Sequence, residues 1–200
     1  MNRKKISIML ITWITCMISL CGCAEQKIDT DMTTVFVHKD GRITDAIVED
    51  FGQSYYNVTE LQTMTNKELT AYNQTTGSVE SAVLSSYEVT DGVAKVFIDF
   101  ATAADYGAFN GKDCFFGTVA EAYEAGYALD VTLKSVSGDE TLDKSALLEK
   151  GKYKILIIEE HVDIEMYKKI LYTSANVELI EDNHARVSDE AEGFAYLIVK

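Results

Sequence analysis

Twice in this 200-residue chain an Asp-Gly pair separates two runs of strand-forming residues. Asp-Gly suits the positive φ of a tight reversal, so the flanking runs are expected to pair as antiparallel hairpins. The first joins Thr34–His38 to Ile43–Phe51 across Lys39-Asp40-Gly41-Arg42. The second joins Val83–Thr90 to Val93–Phe100 across Asp91-Gly92. Strand side chains alternate, so Ala94, Val96, Ile98 and Phe100 share one face, the expected core face.

One long helix is expected over about 57–73. Asn57 is placed to cap it and Glu60 follows three residues on, the outline of a capping box, while Tyr56 and Leu61 are spaced for a hydrophobic staple. Val58, Leu61, Met64, Leu69 and Tyr72 recur at helical spacing on one face. Shorter helices are expected after Thr102, from Thr118 to Gly126, and over 143–150. Further strands are expected at Cys114–Gly117, Val131–Val136, Tyr153–Ile158, His161–Tyr167, Lys169–Ser174, Val177–Ile180 and Phe194–Val199. Tyr153–Ile158 ends apolar on both faces and is placed centrally in a sheet. Hairpins and helices without β-α-β alternation give an α+β fold, a mainly antiparallel sheet of nine or ten strands.

The N-terminus carries an address. Arg3, Lys4 and Lys5 precede the uncharged run Ile6–Leu20, which is 15 residues long. A spanning helix needs about 20 apolar residues, whereas a basic start followed by a shorter apolar run is the pattern of a secretory signal. The run ends in Leu20-Cys21-Gly22-Cys23, which resembles the bacterial lipobox. That resemblance implies a signal peptide over 1–22, cleavage before Cys23, and a diacylglycerol thioether on Cys23, with N-acylation such as palmitate. An uncleaved anchor helix is the alternative. A metal site at Cys16, Cys21 and Cys23 is disfavoured, because the stretch has no electropositive surroundings for thiolates. Residues 23–33 then form a short polar lipidated tether, and 34–200 a single domain in which Cys114 is expected to be a buried hydrophobe.

The body resembles a group of uncharacterised surface lipoproteins of clostridial-type bacteria. The residues that carry the likeness are Lys39-Asp40-Gly41, Ile47-Val48-Glu49-Asp50-Phe51, Ala108-Phe109-Asn110-Gly111, Phe116-Gly117-Thr118-Val119 and Ala125-Gly126-Tyr127. The likeness implies a secreted, lipid-anchored protein and carries over no catalytic residue. The absence of proline departs from that pattern.

A net charge of −14 repels phosphate backbones, so nucleic acid is not an expected partner. The same charge opposes lying flat on an anionic membrane, which leaves attachment to the lipid. No P-loop, dinucleotide fingerprint, nucleophile elbow or zincin motif is present. The candidate cluster is Glu159, Glu160, His161, Asp163 and Glu165. In one continuous strand, Glu159, His161, Asp163 and Glu165 would share a face. That face is either a solvated outer surface or, with help from a neighbouring element, a cation site. His38 and His184 stand isolated. Aromatics from Tyr55 to Tyr127 fit core packing better than a glycan or peptide groove. The expected role is a non-catalytic binding or interaction module on the extracytoplasmic face of the cell membrane. It would have no cofactor beyond the diacylglycerol and would engage an envelope protein or cell-wall partner. The alternative is an envelope enzyme, a metal-assisted hydrolase using the Glu159–Glu165 segment.

Overall fold

A computed structural model describes residues 28–189 and 192–200; the signal segment and Cys23 lie outside the described residues. Both Asp-Gly segments close hairpins. β1 (Thr34–Val37) pairs antiparallel with β2 (Ile43–Asp50), and Gly41 in their turn has φ +94°. β3 (Ala82–Thr90) pairs antiparallel with β4 (Val93–Phe100). Asp91 and Gly92 both have positive φ, 52° and 78°. That is the backbone of a type I′ turn, whose twist matches the strands it joins.

The long helix, α1 (Val58–Thr76), is capped as expected, with the Asn57 side chain accepting from the Glu60 N–H. It ends at Gly77, which is left-handed. The apolar stripe behaves otherwise. Only Leu69 is buried, and Met64 is 54% exposed. The helix lies along the edge strand β3, with the Tyr87 hydroxyl donating to the Val58 carbonyl at its N-terminal end and the burial concentrated in its C-terminal half. There Asn73 bonds both backbone groups of Ala82, and the Tyr72 hydroxyl donates to Asp105. Tyr56 stacks on Phe51 with ring centroids 4.7 Å apart.

α2 (Ala103–Asn110) starts at Thr102, whose hydroxyl caps Asp105. β5 (Cys114–Thr118) leads directly into α3 (Val119–Glu124) through a complete Thr118/Glu121 capping box. Next come β6 (Leu133–Ser135), β7 (Thr141–Leu142), and α4 (Lys144–Glu149), capped by Asp143. The chain closes with β8 (Lys154–Ile158), β9 (Asp163–Met166), β10 (Tyr172–Thr173), β11 (Val177–Glu181), β12 (His184–Val187) and β13 (Ala195–Val199).

The fold is α+β with two sheets. The first has the order β11-β12-β9-β1-β2-β4-β3, the second β5-β8-β13-β10-β6-β7. The C-terminal strands are not all antiparallel, because β9 runs parallel to β1, Thr34 facing Asp163 and Val37 facing Met166. The strand expected at 161–167 forms as Asp163–Met166, but Glu159–Met166 is not one continuous strand. β8 belongs to the second sheet and β9 to the first, so the backbone bends at 159–162 to cross between them. β12 was not foreseen; its residues mix polar and apolar types over only four positions.

One core lies between the sheets, where Val35, Ile43, Ile98 and Phe100 meet Leu156, Ile158 and Leu197. The second core lies on the far side of the second sheet, where Val119, Ala122 and Leu147 of α3 and α4 cover Ile155, Ile157 and Ile198. β8 serves both cores in alternation, as its two apolar faces require.

Gly107 of α2 makes the closest approach to β5. A Cβ there would lie 2.6 Å from the Lys112 carbonyl oxygen and 2.9 Å from the Cys114 nitrogen. Alanine favours a helix over glycine by about 1 kcal/mol, and backbone overlap outweighs that. Gly107→Ala is expected to cost about 1–3 kcal/mol net, read by urea unfolding; a neutral or stabilising result would show that α2 and β5 are free to separate.

Candidate functional site

The cross-strand registers lay out the outer face of the first sheet, away from the core. Glu165 faces Phe36, Phe36 faces Thr44, and Thr44 faces Asp99 in one row. Arg186 faces Asp163, Asp163 faces Thr34, and Thr34 faces Ala46 in the next. Val48, Lys95 and Glu88 form a third row.

At the Thr44–Asp99 end of the first row runs a hydrogen-bonded chain. The Thr44 hydroxyl donates to Asp99 Oδ1 at 2.6 Å, and His38 Nε2 lies 2.8 Å from the same hydroxyl oxygen. A hydroxyl has one proton. With that proton on Asp99, His38 must donate through Nε2–H. Thr44 is thus a fixed link and not a nucleophile primed by the imidazole.

These residues line a cleft of about 380 Å³, with Phe97, Lys95, Glu88 and the bulged Ser85 among its walls. Ser85 sits where the β3–β4 register shifts, and its hydroxyl donates to the Phe97 carbonyl. A second hollow of about 480 Å³ continues along the same strands past Val48, Thr90 and Val93. Asp29, Glu88 and Lys95 line both, so the two form one groove. The segment 28–31 crosses it, held by Lys95 Nζ at 2.8 Å from Asp31 and 3.4 Å from Asp29. The Lys95 hydrogen bond and charge hold the Asp31 carboxyl below its ordinary pKa, and Asp31 in turn raises Lys95.

The acidic segment is dispersed among protein partners. Asp163 is 3% exposed in its side chain and receives Arg186 Nε at 2.5 Å, Arg186 Nη2 at 2.9 Å, and His184 Nε2 at 3.1 Å. Burial acts to raise the Asp163 carboxyl, but the Arg186 bonds and charge, aided by His184, outweigh it and hold it below the ordinary value. It is therefore neither solvated nor open to a cation. Glu165 accepts from Asn183 at 3.3 Å. His161 Nδ1 donates to the Ser188 carbonyl from outside any strand, and the Glu159 N–H donates to the Asp113 carbonyl. Among the described residues no three His, Cys, Asp or Glu side chains converge to hold a metal ion.

Glu160 turns into the interior instead. It accepts the hydroxyl of Tyr106, which is fully buried on α2. Asp45 points to the same region, since it shares the core-facing side of β2 with Ile43 and Ile47. Its own register partners are Val35 and Ile98, and it is 6% exposed. Among the described residues no Lys, Arg or His pairs with it. Burial, reinforced by the charge of Glu160, pushes the Asp45 carboxyl up to about 7. Burial also raises the Cys114 thiol, with Glu160 and Asp113 adding to it, so Cys114 is an inert core thiol.

The groove residues Asp29, Thr44, Glu88, Lys95 and Asp99 were not singled out from sequence. Each is an ordinary polar residue of a tether or strand, and only the pairing of distant strands gathers them. Asp45 did carry a signal, as a charged residue between Ile43 and Ile47 at the core parity of its strand. Compared with protein-family models, curated proteins and solved structures, the chain matches none.

The sign of the Asp45 effect on stability follows from its raised pKa. Below pH 3.8 the carboxyl is protonated in both states. From there up to about 7 the folded state keeps a proton that the unfolded state has lost, so stability falls as pH rises. Against Asp45→Asn, the wild type is expected to lose on the order of 4 kcal/mol between pH 4 and pH 8. Denaturant melts of the two proteins across that window check it; parallel pH profiles would refute it.

Proposed function

We propose that this protein is lipid-anchored through Cys23 on the extracytoplasmic face of a bacterial cell membrane and acts there as a non-catalytic binding module through the groove on its first sheet. The observation that carries this reading is the placement of the groove at the root of the tether. Ile28 and Asp29 line the cleft, and Ile28 stands five positions after Cys23. Five residues extend at most about 17 Å, so a lipid on Cys23 would keep the groove close to the membrane surface.

The chemistry of the groove supports binding over turnover. Its hydroxyl, imidazole and carboxylate satisfy one another in a fixed chain, which gives a preshaped polar surface beside an aromatic ring. Its partner is an envelope protein or a cell-wall component. No helix among the described residues is long and apolar enough to cross a membrane, and the acidic body disfavours adsorption to anionic headgroups. Attachment therefore falls to the N-terminal segment.

Expression in a bacterial host fed labelled palmitate tests the anchor. The wild type is expected to incorporate label and to sediment with membranes. Cys23→Ser is expected to lose both properties, and label retained in that variant would refute lipidation at Cys23.

A further inference from the structure

Lys95 stands between two sets of carboxylates. On one side are Asp29 and Asp31 of the segment that crosses the groove, 84% and 96% exposed in their side chains. On the other is Glu88, directly opposite Lys95 in the β3–β4 register and on the same face of the sheet. Glu88 is engaged by the Thr90 hydroxyl at 2.9 Å. A single ammonium is thus within the neighbourhood of two alternative partners. One belongs to the rigid sheet and the other to a connecting segment with no strand or helix of its own.

The crossing segment has one firm end. Thr33 bonds both backbone groups of Val48, its hydroxyl donating to the Val48 carbonyl at 3.1 Å and accepting the Val48 N–H at 3.0 Å. Thr34, next in the chain, is buried in the sheet. Before Thr33 the ties are side-chain contacts: Lys95 to Asp29 and Asp31, Arg186 Nη2 to the Met32 sulfur at 3.7 Å, and the Thr34 hydroxyl, which donates to the Met32 carbonyl at 2.9 Å and lies 3.3 Å from the Thr30 hydroxyl. Exposed ion pairs hold weakly and are screened by salt. Detachment of residues 28–31 breaks the Lys95 pairs and the Thr30–Thr34 hydroxyl contact but leaves the bonds of Thr33 to Val48 in place, so Thr33 would be the hinge. Asp29 lines both hollows and Asp31 the second, so detachment also uncovers the groove.

We propose that residues 28–31 are a strap that closes the groove, and that Lys95 is its switch, pairing with Asp29 and Asp31 when the groove is covered and with Glu88 when it is open. This rests on the groove being the binding site, but not on the lipid. With a lipid on Cys23, the strap is also the piece of chain on which the membrane anchor pulls, so detachment from the sheet and strain on the anchor act on the same bonds.

Trypsin cleavage after Lys27 of the full-length chain in detergent reads the strap directly, because a protease needs the residues beyond the scissile bond in extended, accessible form. When closing is fast, the cleavage rate follows the population of the open state. Lys95→Gln is expected to speed cleavage after Lys27 several-fold, and Glu88→Gln to slow it, because the open state then loses its partner for Lys95. Added salt should move the wild type toward the rate of Lys95→Gln and leave that variant unchanged. Equal rates in wild type and Lys95→Gln would overturn the strap. Glu88→Gln matching the wild type, or shifting in the same direction as Lys95→Gln, would overturn the exchange of partners. Palmitate labelling reports separately on the anchor, so failure of either reading leaves the other standing.

Discussion

The strand Lys154–Ile158 holds the architecture together, because its four apolar residues, Ile155–Ile158, are buried, two on each face. Leu156 and Ile158 face the core between the sheets, while Ile155 and Ile157 face the core under α3 and α4. Each such side chain contributes about 1.5–3 kcal/mol when fully buried. Neither core closes without this strand. β5 and β13, its neighbours on either side, inherit the same demand, which is why β13 is buried along its whole length. The first sheet has no such burden. It is covered on one side only, and its outer face is free to carry polar side chains, a groove and a crossing segment.

Two buried carboxylates show how neighbours decide what burial does. Asp163 and Asp45 are similarly hidden, and desolvation acts on both in the same direction. Arg186 and His184 reverse the outcome for Asp163, which stays ionised and ties β9 to β12. Asp45 meets Glu160 instead, on the opposite side of the sheet, and its neutral form is favoured. One acid strengthens the strand register by its charge, and the other sits in the core at the cost of that charge.

Local signals carried most of the fold. Asp91-Gly92, the caps at Asn57, Thr102 and Thr118, and the alternation of Ala94–Phe100 are written over a few consecutive residues, and each forms as read. What escaped depends on pairing between distant segments. Periodicity marks Asp163–Met166 as a strand but not which strand it meets, so the parallel match to β1 was invisible. The stripe on α1 has the right spacing for a core helix, yet the helix lies along a sheet edge that buries only Leu69 of it. The site was less legible than the fold. His38 drew attention as an isolated histidine, but Thr44 and Asp99 are 55 residues apart and only the β2–β4 register joins them. The acidic cluster at 159–165 was conspicuous because its members are adjacent in sequence; the bend between the sheets sends them to different partners.

The parallel contact between β1 and β9 sets an order of events in folding. β1, β2, β4 and β3 are complete by Phe100 and pair as neighbouring antiparallel segments. The free edge of β1 must then wait for residues 163–166, with the whole second sheet still to be made up to β8. Contacts that span so much chain are slow to form, and an unpaired edge invites the wrong strand in the interval. The first sheet is therefore complete only once that one edge has been closed by a strand from the far end of the chain.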